Sequence, residues 1–414
     1  MNQEIISTPI TQRNLVAYLR SPIAIRERCQ ELFAMVLEGN SSYFTCNLDR
    51  LGKVADYVID VMHAEYPDLH IPFHSRWRHF EAGGIERLKD FDRALAHLKP
   101  TEKAVAKLDL AILSILLDAG AGSSWVYYEE STGSSFKRSE GLAIASLHMF
   151  CQGSFSSDRH QIYCVDARKL QALGESELAT GFQVSSENYL VGFSGRLKLL
   201  QKLGRVLLSK PEMFGATNPR PGNLVHYLSS KVKNNKLAAA SILEALLEGF
   251  SDIWPGRLQF DGVNLGDVWS HRSIEDDGFV PFHKLSQWLT YSLLEPLQEL
   301  GWEITGLDDL TGLPEYRNGG LCIDLGLIEV KRPNVLRSPH PVSSEVIVEW
   351  RALTVVMLDR IAAKIREKLD MTSQELPLVK ILQGGTWLAG RKIASELRTG
   401  GIPPIQIESD GTVF

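Results

Sequence analysis

From Ser343 to Leu369 the chain reads SSEVIVEWRALTVVMLDRIAAKIREKL, which is apolar on nearly every side of a helix as far as Leu358. A helix without a polar face has to be covered by other elements all round. A chain of 414 residues is long enough to provide that cover. Ser343 or Ser344 caps the start. Two charges interrupt the apolar surface, Glu349 and Arg351. Two positions apart, they point to nearly opposite faces and cannot pair with each other. The partners expected for them are Arg317 for Glu349 and Glu315 for Arg351, with both charges bracing a site from behind.

Helical spacing of apolar residues dominates elsewhere. It predicts helices over 21–37, 47–63, 101–118, 193–208, 224–227, 237–250 and 283–300. The first opens on Ser21-Pro22, a cap followed by proline at the first helical position. Ser139 is expected to cap another over 140–150. Strand candidates are few: 125–128, 162–165 and a C-terminal hairpin, 405–408 with 412–414, around Asp410-Gly411. The fold class is therefore mainly α with minor β elements. Two closely packed lobes are expected, residues 1–155 and 156–414, with a seam near Ser154–Ser157.

Composition narrows the function classes. With 44% hydrophobic and 23% charged residues and a formal net charge of −6, the chain has no basic block for a nucleic-acid or anionic-membrane footprint. Five scattered cysteines without a CxxC point to a reducing, cytoplasmic compartment. The start, MNQEIISTPITQRN, lacks the pattern of a signal peptide, and no apolar stretch is long enough to cross a bilayer. No cofactor is signalled. The expected partner is a small molecule, with oligomeric state left open.

Polar residues set into apolar, turn-rich sequence mark candidate chemistry, because buried charge is costly unless paired or used. In HIPFHSRWRHFEAGG, His70, His74 and His79 could converge on a metal at about 2 Å, but Pro72 breaks the helical spacing and Arg76 and Arg78 add positive charge. An anion site of Arg76, Arg78 and His79, or a salt-bridged helix start, fits better, and no metal is assigned. In GAGSSWVYYEESTGSSFKRSEG, Trp125 and Tyr128 could wall a planar group, with Arg138 and Glu140 beside a helix N-terminus, although the aromatics could equally be core. Arg220 of NPRPGN is either a turn residue or a ligand contact. Asp267, Trp269 and His271 place a carboxylate, an indole and an imidazole within FDGVNLGDVWSH. His283 and Lys284 open an aromatic helix, where Lys284 could meet a phosphate or lie solvated. LPEYRNGG is the strongest local signal: Pro314 fixes the entry, Gly319-Gly320 releases the chain, and Glu315, Tyr316, Arg317 and Asn318 lie between. A glutamate among apolar neighbours and beside an arginine can serve as a catalytic carboxylate, or the two can brace a turn.

IPFHSRWRHFEAGG, GAGSSWVYYEE with KRSEGLA, FDGVNLGDVW, TGLPEYRNGG and EVIVEWRALTVVMLDRIA are similar, nearly end to end, to a family of bacterial and fungal proteins of formerly unknown function. That family includes a fungal protein required for uracil breakdown. The resemblance implies a role in pyrimidine degradation without ring reduction, in which uracil, as a ribosyl adduct, is opened to a ribosylated urea that must be split. More distantly, FHKLSQ, PEYRNGG and EVIVEWRALTV resemble runs of the queuosine salvage nucleosidases, helical enzymes with a DNA-glycosylase-like fold that cleave the N-glycosidic bond of a nucleoside 5′-phosphate. That likeness implies a DNA-glycosylase-like core, a substrate or phosphate contact at Lys284, and the essential carboxylate at Glu315. This chain has Glu where that family has Asp, and Leu285 where it has a second basic residue.

The reading is an N-glycoside hydrolase acting on ribosylurea or its 5′-phosphate. Glu315 is the catalytic carboxylate, Asp267 or Asp309 the second, and Lys284 and Arg317 hold sugar or phosphate oxygens. The alternatives are a metal-dependent amidohydrolase attacking the urea itself and a non-catalytic nucleoside-binding protein.

Overall fold

The computed structural model describes residues 12–118, 120–122, 124–254 and 258–408. The apolar helix runs from Glu345 to Leu369 and is buried without a break from Val346 to Leu358. It is covered by the helices Pro22–Leu37, Leu51–Glu65 and Tyr316–Asp324. A second buried helix, Pro100–Leu116, packs on Lys284–Gln298, on Arg138–Cys151 and on the short turn Pro221–Asn223. One buried hydrophobic cluster extends from Ile25 to Ile405, and a small satellite forms around Leu15, Leu19, Leu265 and Val268.

The molecule is mainly helical with small sheets, as the periodicity implied. Ser21 caps Pro22–Leu37 by accepting from the Ala24 amide. The Arg138–Cys151 helix starts a residue before Ser139, so Lys137 and not Ser139 occupies the cap position. All sheets among the described residues are two-stranded. Phe44–Cys46 runs antiparallel to Ile328–Val330, with Phe44 opposite Val330, and Tyr127–Glu129 forms a hairpin with Ser134–Phe136. Val268–Ser270 pairs with Phe279–Pro281 and leads into the Lys284–Gln298 helix.

Residues 162–165 are not a strand. The Val165 amide instead donates to the buried Asp109 carboxylate, which also takes the Gly222 amide and Arg220 Nε. Arg220 thus pairs with the core helix. Gly222 lies so close that a Cβ there would fall 2.0 Å from the Val105 carbonyl oxygen. Asp410-Gly411 and 412–414 lie outside the described residues, while Ile407–Glu408 pairs in parallel with His340–Pro341.

The stretch expected to be a turn after Glu315 is a nine-residue helix, Tyr316–Asp324, with Gly319 and Gly320 buried inside it. A Cβ on Gly319 would lie 2.8 Å from the Trp350 ring and from Thr354 Oγ1. Gly319 is therefore there for close helix packing.

Candidate active site

Three helices begin around one cavity of about 340 Å³: Arg138–Cys151, Lys284–Gln298 and Tyr316–Asp324. Their N-termini bring partial positive charge to its wall. Glu315 caps the third: its two oxygens accept from the amides of Arg317 at 3.0 Å and Asn318 at 2.7 Å. These bonds fix the carboxylate at the cavity and leave further lone pairs on each oxygen. Burial raises the pKa of Glu315, opposed by the Arg317 charge, the two amides and Lys284. Burial likewise lowers that of Lys284, with the Glu315 charge acting the other way.

His74, His79, Trp288 and Trp387 line the same cavity. Each imidazole lies within 6.5 Å of both indole rings, centroid to centroid. His74 is tied through Nδ1 to Gln383 Oε1 at 3.0 Å, on a π-turn, Leu382–Thr386, that leads into the Trp387–Leu397 helix. Burial drives the pKa of His74 down to about 4 and that of His79 well below the usual imidazole range. Both rings are neutral at pH 7. Arg317 lies over the Trp387 ring at 4.3 Å.

Three buried polar atoms on this wall have no hydrogen-bond partner: His79 Nδ1, Trp288 Nε1 and Arg317 Nη1. Such atoms cost about 1–3 kcal/mol each when left unsatisfied, and all three belong to residues that line one cavity. Asp118 completes the rim; its carboxylate is held by Arg76 Nη1 at 2.6 Å.

The cavity gathers Glu315, Tyr316, Arg317, Lys284, Arg138 and His79. Glu140 stands just beyond Arg138, at 3.4 Å from Arg391. Asn318 is buried in the helix, its amide nitrogen donating to the Leu313 carbonyl. Arg76 is consumed by Ser114, Asp118 and the Ser139 carbonyl, and Arg78 pairs with Glu295. His70 is exposed and meets Asp68. Among the described residues no three His, Cys, Asp or Glu side chains converge to hold a metal ion.

Asp267 does not line this cavity. Arg351 grips it with two bonds of 2.8 Å, Trp269 Nε1 donates to it at 2.7 Å, and it accepts from the Lys284 amide at 3.0 Å. Although burial works against the charged form, this guanidinium and these donors hold its pKa far below the usual carboxylate range. Arg351 therefore meets Asp267, where Glu315 was expected. Glu349 accepts from Ser41 Oγ, with His271 Nε2 3.7 Å away, where Arg317 was expected. His283 stands at the cap position with φ +47° and contacts the Leu19 carbonyl through Nε2 at 2.8 Å. Asp309 is in a turn whose carbonyl oxygens are bound by Arg26. Trp125 is fully buried with Nε1 on the Phe182 carbonyl, and Tyr128 is half exposed on its hairpin.

Sequence reasoning missed Asp118, Trp288 and Trp387 as cavity residues. Trp288 carried a usable signal, since it lies one helical turn beyond Lys284 on the same face. Trp387 sits far along the chain, and only the tertiary fold brings it to Arg317.

The family whose description reads "Protein of unknown function (DUF1688)" matches residues 18–414. "Uracil catabolism protein 4" of Lachancea kluyveri is 39% identical over 444 residues, covering 98% of this chain and 100% of that protein. "Protein urg3" of Schizosaccharomyces pombe is 41% identical over 408 residues, covering 96% and 99%. A match of this extent, with relatives aligned over nearly their whole length, makes the chain a member of the DUF1688 family.

Proposed function

We propose that the protein is an N-glycoside hydrolase of uracil catabolism, splitting ribosylurea or its 5′-phosphate into urea and ribose or ribose 5-phosphate. The observation that carries the reading is the partly buried Glu315 carboxylate, fixed by two amides at a cavity that also holds Lys284 and Arg317. Pathway membership rests on the relative named for uracil catabolism. The proposal extends to a DNA-glycosylase-like helical core.

Cleavage of the C1′–N bond builds positive charge on the ribose. A carboxylate beside the anomeric carbon stabilises that charge, and does so most effectively where water is excluded. Glu315 is given this role. Urea leaves as a planar group with one strong acceptor, its oxygen, which suits donors such as Trp288 Nε1, Arg317 Nη1 and a neutral His79. The indoles of Trp288 and Trp387 offer flat walls for it. The incoming water needs a base, and the proton taken from it has to reach the departing urea nitrogen, so that urea leaves neutral. Asp118, kept at the rim by Arg76, is the second carboxylate at this cavity, whereas Asp267 and Asp309 are engaged elsewhere.

Incubation with a panel of ribosylated ureas and nucleoside monophosphates, with products identified, tests the reading. Urea and ribose or its phosphate are expected. Ammonia as the first nitrogen product would indicate attack on the urea C–N bond, and tight binding without turnover would indicate a sensing role.

A further inference from the structure

Across Tyr316 and Arg317 from this cavity lies a second, polar chamber of about 180 Å³. It shares Arg138, Tyr316 and Arg317 with the first and adds Arg391. Three arginines border a space whose lining includes no carboxylate. The acid nearest to any of them is Glu140, which approaches Arg391 at 3.4 Å from outside the chamber. Like charges set around one space without a counter-charge in its wall repel, and the arrangement is stabilised by an anion between them.

The backbone is arranged to the same end. Gly390 allows the Trp387–Leu397 helix to touch the start of Tyr316–Asp324, since a Cβ there would fall 2.3 Å from the Arg317 carbonyl oxygen. Arg391 follows directly, so this contact sets Arg391 beside Arg317. The Arg138–Cys151 helix begins at the chamber without a side-chain cap, and its first residue, Arg138, is held at φ +54°. The amides of its first turn add to the positive potential. Arg317 lines both chambers, and its Nη1 is buried without a hydrogen-bond partner.

Glu315 lines only the first chamber, where it would repel a dianion. A substrate with a neutral reacting end and a phosphorylated end fits the pair of chambers in one direction only. We propose that the chamber bordered by Arg138, Arg317 and Arg391 binds a phosphomonoester, so that the preferred substrate is the 5′-phosphate of the ribosylated urea, with its phosphate held there and not at Lys284. The orientation rests on the hydrolase reading; the phosphate subsite does not.

Calorimetric titration of the full-length protein with ribose 5-phosphate, ribose and inorganic phosphate tests the subsite independently of turnover. Ribose 5-phosphate should bind at least tenfold more tightly than ribose. Arg391→Met, a change at a half-exposed position, should remove most of that difference while leaving ribose binding and the melting temperature unchanged. Arg138→Met should act in the same direction. Inorganic phosphate should compete with ribose 5-phosphate in the wild type and lose affinity in both variants. Equal affinity for ribose and ribose 5-phosphate, or variants that bind ribose 5-phosphate as the wild type does, would overturn the subsite. Arginine-dependent binding without hydrolysis of any ribosylurea would keep the subsite and sink the hydrolase. Equal hydrolysis of phosphorylated and unphosphorylated ribosylurea, unaffected by Arg391→Met, would do the reverse.

Discussion

At the scale of single residues, Glu315 does two things with one carboxyl group. It satisfies two amides at a helix start and presents the remaining lone pairs to the cavity. Glu315→Gln keeps one acceptor for the cap and removes the charge. The expected cost in stability is about 1 kcal/mol or less, while kcat should fall by about two orders of magnitude or more, equivalent to at least about 2.7 kcal/mol of transition-state stabilisation. Because burial raises the Glu315 pKa, the acid limb of the wild-type pH–rate profile should lie above the ordinary glutamate value of about 4.3 and be absent from the residual activity of the variant. A variant retaining a tenth of wild-type kcat would remove Glu315 from the chemistry. The histidines have a separate pH signature. Burial holds the pKa of His74 down at about 4 in the folded protein, against an ordinary imidazole value of about 6.5. The unfolded chain therefore binds more protons between these values, and stability must fall as pH drops from about 6.5 towards 4, by on the order of 3 kcal/mol for this ring. Urea denaturation at intervals over this range should show that loss, and His74→Asn should reduce it, the remainder belonging to His79. An unchanged slope in the variant would mean that His74 is not buried in its neutral form. Glu315, Lys284 and Arg317 were legible in the sequence because each is a charge in apolar company. Asp118 was not, because its role depends on Arg76 reaching across from another helix.

At the scale of elements, the buried Glu345–Leu369 helix supports the site through a route the sequence did not reveal. Arg351 holds Asp267, and Asp267 in turn caps the backbone of Lys284. Sequence distance hides such a chain of contacts, since Asp267 reads locally as a turn residue next to glycine. Removing Arg351 strands a buried carboxylate, so Arg351→Met should cost about 3–5 kcal/mol. Asp267→Asn should also destabilise, and the two changes together should cost less than their sum, because the pair acts as a unit. Denaturation of the wild type, both single variants and the double variant measures this coupling; strict additivity would break the proposed link. The long helices were readable from their period, because burial of a whole stripe forces the pattern. The Tyr316–Asp324 helix was not, since Gly319-Gly320 reads as a breaker. Packing against Trp350 and Thr354 overrides that weak local preference.

At the scale of the whole molecule, one large core cluster links segments from the Pro22–Leu37 helix to the last described strand, and the cavity lies where helix starts from distant parts of the chain meet. No helix among the described residues is long and apolar enough to cross a membrane. The mainly helical character and the family followed from pattern and motif, while the aromatic wall and the arginine chamber needed the tertiary arrangement. The claim that matters most is which bond is broken. Hydrolysis of ribosylurea, with and without a 5′-phosphate, in water enriched in oxygen-18 tests it most directly. Cleavage at C1′ predicts urea and ribose or its phosphate in equal amounts, the label entering at the sugar anomeric position and the urea unlabelled, with turnover lost in Glu315→Gln. Ammonia release with label in the carbamate or carbon dioxide product, or turnover undiminished in Glu315→Gln, would contradict the account.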